Sequence, residues 1–176
     1  MNYMLLPLKR YAQFSGRSRR KEYWMFWLFQ VLVYAILITL MMATGSAAFL
    51  TGDPSAAGAG FAGLGVLGLL YALFSLAMLI PQLAVTVRRL HDTNRTGWWI
   101  LAPILPYLLV LAGAFTAAGS GTEAGVGTGG ILGLVGILAV VVAGIALFVF
   151  MLLEGTRGPN NYGPDPKGAD YGEVFG

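Results

Sequence analysis

The residues whose types could support chemistry fall in three short polar segments, at positions 14–24, 88–99 and 155–166. The set that we single out comprises Arg17, Arg19, Glu22, Arg88, Arg89, His91, Asp92, Arg95, Trp98, Asn160, Tyr162 and Asp165. Guanidinium groups bind phosphates and carboxylates through paired N–H donors, and amide, phenol and indole groups add hydrogen bonds around such a ligand. We therefore predict a site that binds an anionic lipid headgroup or a protein partner.

Catalysis is a second hypothesis for these segments. His91 beside Asp92 supplies a base and a carboxylate, as an enzyme acting on a phosphorylated lipid would need. Neighbouring residues of a helix point about 100° apart, however, so the pair does not by itself form a catalytic dyad. We predict that no residue is catalytic. The two carboxylates then act as counter-charges, with Asp92 and Glu22 facing Arg19, Arg88, Arg89 and Arg95.

The chain offers little for metal or cofactor chemistry. It has no cysteine and a single histidine, His91, which excludes disulfides, thiolate catalysis and metal motifs that need two imidazoles. We predict neither a metal nor a cofactor. The imidazole of His91 is also a candidate pH sensor, because its charge changes near physiological pH.

The composition is that of a membrane protein. Of the 176 residues, 57% are hydrophobic and only 11% are charged, where a soluble domain has about 25% charged residues. About 20 consecutive apolar residues cross a bilayer as a helix. We therefore predict an all-α integral membrane bundle of four transmembrane helices, with a cytoplasmic hairpin and cytoplasmic termini.

Four uncharged stretches are long enough to form these helices. They cover residues 23–43, 61–87, 98–118 and 130–153. The predicted organisation is a basic N-terminal segment at 1–22, a transmembrane domain at 23–153 with a polar hairpin at 88–97, and a Gly/Pro-rich tail at 154–176. Two loops of small residues join the remaining span ends, one holding Asp53 and one at 119–129 holding Glu123.

The basic residues predict the orientation, because Lys and Arg near span ends are retained on the cytoplasmic side. All 11 of them lie before the first span, in the hairpin or in the tail. This explanation makes nucleic acid an unnecessary partner. We expect membrane lipids, anionic ones among them, and either a second copy or another membrane protein. A cleaved signal is an alternative for the first span, but its preceding basic region would be too long.

A small transporter or flippase subunit for a lipid or apolar solute is the remaining alternative. Pro81 in the second span and Pro103 with Pro106 in the third are candidate helix breaks of the kind found at transporter binding sites. The spans contain no Asp, Glu, Lys, Arg or His, which disfavours proton-coupled transport. The polar Gln30 and Gln82 are better explained by hydrogen bonds between helices.

Small residues at four-residue spacing indicate where helices approach closely. Such pairs occur at Gly68 and Ala72, at Gly129 and Gly133, and at Ala139 and Ala143. A surface of small residues lets two helix backbones approach. These pairs therefore predict packing faces within the bundle or between copies.

The three polar segments, taken together and in this order, resemble the domain-of-unknown-function 805 (YhaH-like) family of bacterial inner-membrane proteins. The segments read GRSRRKEYW from Gly16, RRLHDTNRTGWW from Arg88 and GPNNYGPDP from Gly158. The likeness extends from Phe14 to Pro166 and includes the hydrophobic spans. It implies a membrane location and a several-helix fold, and it implies no activity.

Overall fold

The computed structural model describes residues 3–50 and 54–168, with side chains at 3–46 and 58–168. Every regular element within these residues is helical. The helices are α1 (Leu6–Lys9), α2 (Arg20–Leu50), α3 (Pro54–Asp92), α4 (Ile104–Gly119) and α5 (Glu123–Leu152), and a 3₁₀ turn covers Gly97–Leu101. Four stretches are long and apolar enough to cross a membrane: Arg20–Ser46, Gly58–Asp92, Gly97–Gly119 and Glu123–Leu152. The all-α class and the four membrane-spanning helices are thus confirmed.

The chain folds into two compact units. The first consists of the described parts of Met1–Phe14 and Lys21–Val85, and the second of Ser15–Arg20 with the described part of Thr86–Gly176. Helix α3 contributes to both. The second unit therefore joins six residues from near the start of the chain to the α4–α5 hairpin and the tail.

In the first unit, polar side chains of α2 and α3 bind each other. Gln30 Nε2 donates to Gln82 Oε1 at 2.7 Å, and Tyr34 Oη donates to Ser75 Oγ at 3.1 Å. A buried amide or hydroxyl in an apolar surrounding costs free energy unless it is hydrogen-bonded. The expectation that Gln30 and Gln82 join helices is therefore confirmed.

Pro81 lies inside α3 without ending it. Its side chain is fully buried, and the helix continues from Pro54 to Asp92. Neighbouring membrane helices can compensate for the N–H that proline lacks. This position is thus an uninterrupted helix where the sequence suggested a break.

In the second unit, α4 and α5 approach through glycines. A Cβ added to Gly113 would lie 2.5 Å from the backbone N of Gly133 and 2.6 Å from the carbonyl O of Gly129. A Cβ on Gly129 would meet the carbonyl O of Gly113 at 2.5 Å. The packing face predicted at Gly129 and Gly133 is confirmed, whereas a Cβ on Gly68 would meet nothing within 4 Å.

Helices α2, α3 and α5 are longer than the uncharged stretches suggested. Helix α2 continues to Leu50 and α3 begins at Pro54, so little of the first predicted loop is irregular, and Asp53 lies outside the described residues. Helix α5 begins at Glu123, where Thr122 Oγ1 accepts the Gly125 N–H at 3.2 Å. An N-cap followed by an acidic first residue stabilises a helix start despite the following glycines.

The third span is not one α-helix. Residues 97–101 form a 3₁₀ turn and α4 begins at Ile104, whereas a single helix from Trp98 was expected. Pro103 has no N–H to donate to the carbonyl of Trp99. That carbonyl instead accepts the N–H of Ala102 at 3.1 Å, which is the tighter i+3 pattern. The proline therefore sets the boundary between the two helical forms.

Candidate functional site

The segment predicted as a polar hairpin is mostly helical. Helix α3 extends to Asp92, so residues 93–96 alone connect it to the 3₁₀ turn. Asn94 has φ +57°, as expected for a turn residue, because asparagine tolerates the left-handed region. Gly97 does not have positive φ within the described chain. It is needed for space, since a Cβ there would meet Val87 Cγ1 at 2.8 Å.

Asp92 is the centre of a buried ion cluster. Its Oδ1 accepts the Nε–H of Arg17 at 2.9 Å, and its Oδ2 accepts an Nη1–H of Arg89. The side chains of Arg17 and Asp92 are 1% and 6% exposed, and Arg89 is fully buried. Buried charges are stable only when paired and hydrogen-bonded. Asp92 is thus a counter-charge, as predicted, and its partners include Arg17, which had not been assigned to it.

The arginines also cap the C-terminal end of α5. Arg89 Nε donates to the carbonyl of Met151 at 3.4 Å and its Nη2 donates to that of Leu153. Arg20 Nη1 donates to the carbonyl of Leu152 at 3.1 Å. The last carbonyls of a helix lack intrahelical donors and carry a partial negative charge. Cations at this end are therefore favourable both as donors and as charges.

The tail packs against the end of α3 within the second unit. Thr156 N–H donates to the carbonyl of Asp92 at 2.8 Å, and Asn160 Nδ2 donates to the carbonyl of His91 at 2.9 Å. Arg17 Nη1 donates to the carbonyl of Gly158 at 2.6 Å. A Cβ on Gly155 would overlap the carboxylate of Asp92. The tail is thus held by backbone and side-chain hydrogen bonds where only glycine fits.

His91 and Asp92 do not act on each other. The His91 ring stacks on that of Tyr162, with centroids 3.9 Å apart and planes 5° apart. Its Nδ1 lies 3.2 Å from the carbonyl O of Gly16, so this nitrogen is the donor. Both carboxylate oxygens of Asp92 accept from arginines. The geometry therefore offers no catalytic dyad at this pair.

Asp165 closes a loop of the tail. Its Oδ1 accepts the Lys167 N–H at 2.8 Å and its Oδ2 accepts the Gly158 N–H at 3.0 Å. The first of these hydrogen bonds is the main reason that the pKa of Asp165 lies below its ordinary value of 3.8. Hydrogen bonds to the ionised form favour that form.

This pKa shift predicts a pH dependence of the loop. Because the folded pKa is depressed, the contribution to stability is complete above the ordinary value and is lost as the pH falls through the folded value. We expect the Gly158 and Lys167 amides to be protected from hydrogen exchange at neutral pH and to lose protection in acid below about pH 4. Asp165→Asn should remove this acid step. Protection that stays constant from pH 6 to pH 2 would contradict the assignment.

A basic cavity lies between the N-terminal arginines, the end of α3 and the tail, all within the second unit. Its volume is about 560 Å³. The lining residues are Arg17, Arg19, Arg20, Asp92, Glu154, Gly155, Thr156, Arg157, Gly158, Asp165, Pro166, Lys167 and Gly168. Five of these are basic and three are acidic. We refer to this space below as the basic cavity.

The structure brings only some of the predicted site residues to the basic cavity. Arg17, Arg19, Asp92 and Asp165 line it. Arg88, Arg89, His91, Asn160 and Tyr162 belong to the surrounding unit without lining the space, and Glu22 lies in the first turn of α2 in the first unit.

Two predicted residues are placed elsewhere on the second unit. Trp98 is 77% exposed on the 3₁₀ turn. The guanidinium carbon of Arg95 lies 4.1 Å from the ring centroid of Phe150, which is a cation–π contact. Arg95 therefore faces an aromatic ring in place of the carboxylate that was expected.

Three basic lining residues were missed, namely Arg20, Arg157 and Lys167. As sequence features they indicate orientation, and nothing local in the sequence separates them from the other basic residues. Arg20 forms an exposed ion pair with Glu154. Arg157 is exposed and makes no hydrogen bond or ion pair among the described residues. The sequence therefore identified only some of the basic residues that line the cavity.

Ser18 lies shortly before α2 and is part of the second unit. The helix begins at Arg20, and the buried Ser18 hydroxyl has no hydrogen-bond partner among the described atoms. Its backbone N–H donates to the carbonyl of Arg88 at 3.1 Å. Ser18 thus ties the first segment to α3 through its main chain.

Comparisons with known proteins agree with this architecture. The family model described as Protein of unknown function (DUF805) matches residues 11–164. The inner membrane protein YhaI of Escherichia coli K12 is 32% identical over 95% of this chain and 97% of its own length. The inner membrane protein YhaH of the same strain is 30% identical over 95% and 98%.

A third E. coli K12 relative, the uncharacterized protein YiiR, is 30% identical over 90% of this chain and 88% of its own length. No solved structure matches the chain. The match to the family model includes most of both compact units, the polar segments at 14–24 and 88–99, and the third segment as far as residue 164. Together with the four apolar helices, these similarities show that the chain is a membrane protein and that it belongs to the DUF805 family.

Proposed function

We propose that this is a non-catalytic inner-membrane protein whose basic cavity binds the phosphate-bearing headgroup of an anionic lipid. The observation that carries the proposal is the lining of the cavity, where five basic side chains outnumber three carboxylates. Arginine binds phosphate oxygens through two parallel N–H donors, and lysine binds them as a point charge. A volume of about 560 Å³ is in the range of small-molecule sites.

The position of the cavity favours a lipid as the source of the phosphate. Asp92 is the last residue of α3, and Glu154 follows the end of α5 by two residues. Both helices are long and apolar enough to cross a membrane, so their ends lie near the level of the headgroups. Basic residues at this level attract anionic lipids by about 1 kcal/mol each.

The distribution of the basic residues supports a cytoplasmic location for the cavity. All 11 Lys and Arg residues lie outside the uncharged stretches, on segments that alternate with loops free of basic residues. Such an asymmetry directs basic segments to the cytoplasm. A reporter fused after the last residue and active only in the cytoplasm tests this orientation; activity of a periplasmic reporter at that position would overturn it.

Binding without catalysis agrees with the pairing of the residues present. His91 is stacked on Tyr162, and the carboxylate of Asp92 is held by Arg17 and Arg89. Neither group is placed to transfer a proton to a molecule in the cavity. The transport alternative has less support, because Pro81 lies in a continuous helix and Gln82 is paired with Gln30.

Arg157 provides the test of lipid binding. Its side chain is exposed and makes no hydrogen bond or ion pair among the described residues, so Arg157→Gln should leave the fold intact. We expect about a fivefold loss of anionic lipid retained by the protein, which is the effect of one basic residue worth about 1 kcal/mol. Native mass spectrometry of the protein released from its membrane in mild detergent measures the retained lipid.

The matched control is Arg10→Gln, which removes the same charge from an exposed arginine of the first unit. Its retained lipid should equal that of the unmodified protein. Equal retention in Arg157→Gln and Arg10→Gln would overturn the cavity as the lipid site. A protein that carries no lipid but retains a stoichiometric protein partner would point to the partner as the occupant.

A further inference from the structure

We infer that the basic cavity selects a phosphate with two negative charges, a phosphomonoester or a diphosphate, over a phosphodiester with one. This inference rests on the proposed function, because it concerns the ligand of the same cavity. It follows from which of the cations in the lining are already bound to the protein's own acceptors.

Arg17 is not available to a ligand. Its Nε donates to Asp92 at 2.9 Å, its Nη1 to the carbonyl of Gly158 at 2.6 Å and its Nη2 to the carbonyl of Thr156. With every nitrogen engaged and the side chain 1% exposed, the guanidinium is a structural part of the wall. Its positive charge is matched by the carboxylate of Asp92, which Arg89 shares.

Arg19 and Arg20 are largely occupied as well. Arg19 Nε donates to the carbonyl of Pro166 at 2.8 Å, and its Nη2 donates to the same atom. Arg20 donates to Glu154 and to the carbonyl of Leu152. The pair of Arg20 with Glu154 is neutral. Two of the nitrogens of Arg19 are thus committed to the tail.

Arg157 and Lys167 are the cations that face the cavity with exposed side chains. Asp165 lies between them in sequence, and both of its carboxylate oxygens accept backbone N–H groups of the tail loop. Arg17 and Lys167 are the cations whose charges act on Asp165. Counted over the whole lining, five basic and three acidic side chains leave a formal excess of two positive charges for a ligand to meet.

Charge matching then distinguishes the two classes of phosphate. A phosphodiester carries one negative charge. A phosphomonoester carries about −1.5 to −2 at pH 7, because its second ionisation lies near pH 6. A phosphate with two negative charges balances the two excess positive charges of the lining. A phosphate with one negative charge leaves one of them unbalanced.

The test uses the full-length protein in phosphatidylcholine nanodiscs. Equal amounts of phosphatidic acid, a phosphomonoester, or phosphatidylglycerol, a phosphodiester, are added with identical acyl chains, and bound lipid is measured by native mass spectrometry. We expect phosphatidic acid to bind about tenfold more tightly at pH 8, the ratio produced by one further charge-assisted hydrogen bond. The ratio should shrink at pH 5, where the monoester loses its second charge.

Two variants make the result specific to the cavity. Arg157→Gln combined with Lys167→Gln should abolish the preference, while Arg10→Gln combined with Lys9→Gln, at exposed positions outside the second unit, should keep it. Arg157→Lys should keep most of it. Persistence of the preference in the first double variant would overturn the inference.

The outcomes separate this inference from the proposed function. If both lipids bind equally and both are lost in Arg157→Gln, lipid binding stands and the selection of a dianion is overturned. If neither lipid binds above phosphatidylcholine, inorganic pyrophosphate is titrated into the same nanodiscs. Pyrophosphate binding that requires Arg157 would support a dianionic phosphate from a soluble source and overturn the lipid; no binding would overturn both.

Discussion

Replacing Asp92 with asparagine is expected to lower the free energy of unfolding by about 3–5 kcal/mol, the usual cost of leaving a buried charge without its partner. The carboxylate accepts hydrogen bonds from Arg17 and Arg89, and all three side chains are buried. The neutral amide would leave both guanidinium groups uncompensated. Unfolding in mild detergent, followed by circular dichroism on heating or on addition of a denaturing surfactant, measures the loss.

Glu154→Gln is the matched control for Asp92→Asn. It removes the same charge from an ion pair in the same unit, but the side chains of Arg20 and Glu154 are 39% and 64% exposed. Exposed pairs contribute about 0–1 kcal/mol, so this variant should unfold almost as the unmodified protein does. Equal losses in the two variants would mean that Asp92 does not organise a buried cluster.

Replacing Gly113 with alanine is expected to separate α4 from α5 locally and to destabilise the second unit by about 3 kcal/mol, at the upper end of the usual cost of overpacking. The added methyl group would lie 2.5–2.6 Å from backbone atoms of Gly133 and Gly129. A main chain cannot rotate away as a side chain can, so the helices must move apart. The same unfolding measurement reports the effect.

Gly130→Ala is the control for the helix interface. Gly130 is exposed on α5, and a Cβ there would meet nothing within 4 Å. Alanine in an open helical position is more stable than glycine by about 0.5–1 kcal/mol, so this variant should be unchanged or slightly stabilised. A loss of stability in Gly130→Ala equal to that in Gly113→Ala would argue for a general intolerance of α5 to alanine.

The four spans could be predicted because the membrane imposes a local rule, a run of about 20 uncharged residues. The ends of the helices could not, since glycine and alanine next to a span are compatible with either helix or loop. In the structure, α3 continues through Arg88 and Arg89 to Asp92, and α5 begins at Glu123. The sequence showed only that Pro103 could break a helix; the structure shows that the carbonyl of Trp99 accepts the N–H of Ala102.

The residue types of the candidate site could be predicted from the sequence, but the pairs that these residues form could not. Clustering of arginine with Asp92, Asn160 and Tyr162 could be read from the three polar segments. Their partners could not, because Arg17 binds Asp92 across 75 positions and Gly158 across 141. Pairing over such separations depends on how the chain folds back, which no local pattern encodes. Arg157 was missed for a related reason, since its role depends on which other cations are already bound.

The residues that form the wall of the basic cavity are synthesised at different times. Arg17 leaves the ribosome about 140 residues before Gly158, whose carbonyl it binds, and Asp92 emerges between them. Asp92 can accept from Arg17 as soon as it has emerged, but the carbonyls of Thr156 and Gly158 follow only after α5 has been synthesised. The wall of the basic cavity can therefore be completed only after the tail loop with Gly158 has been synthesised.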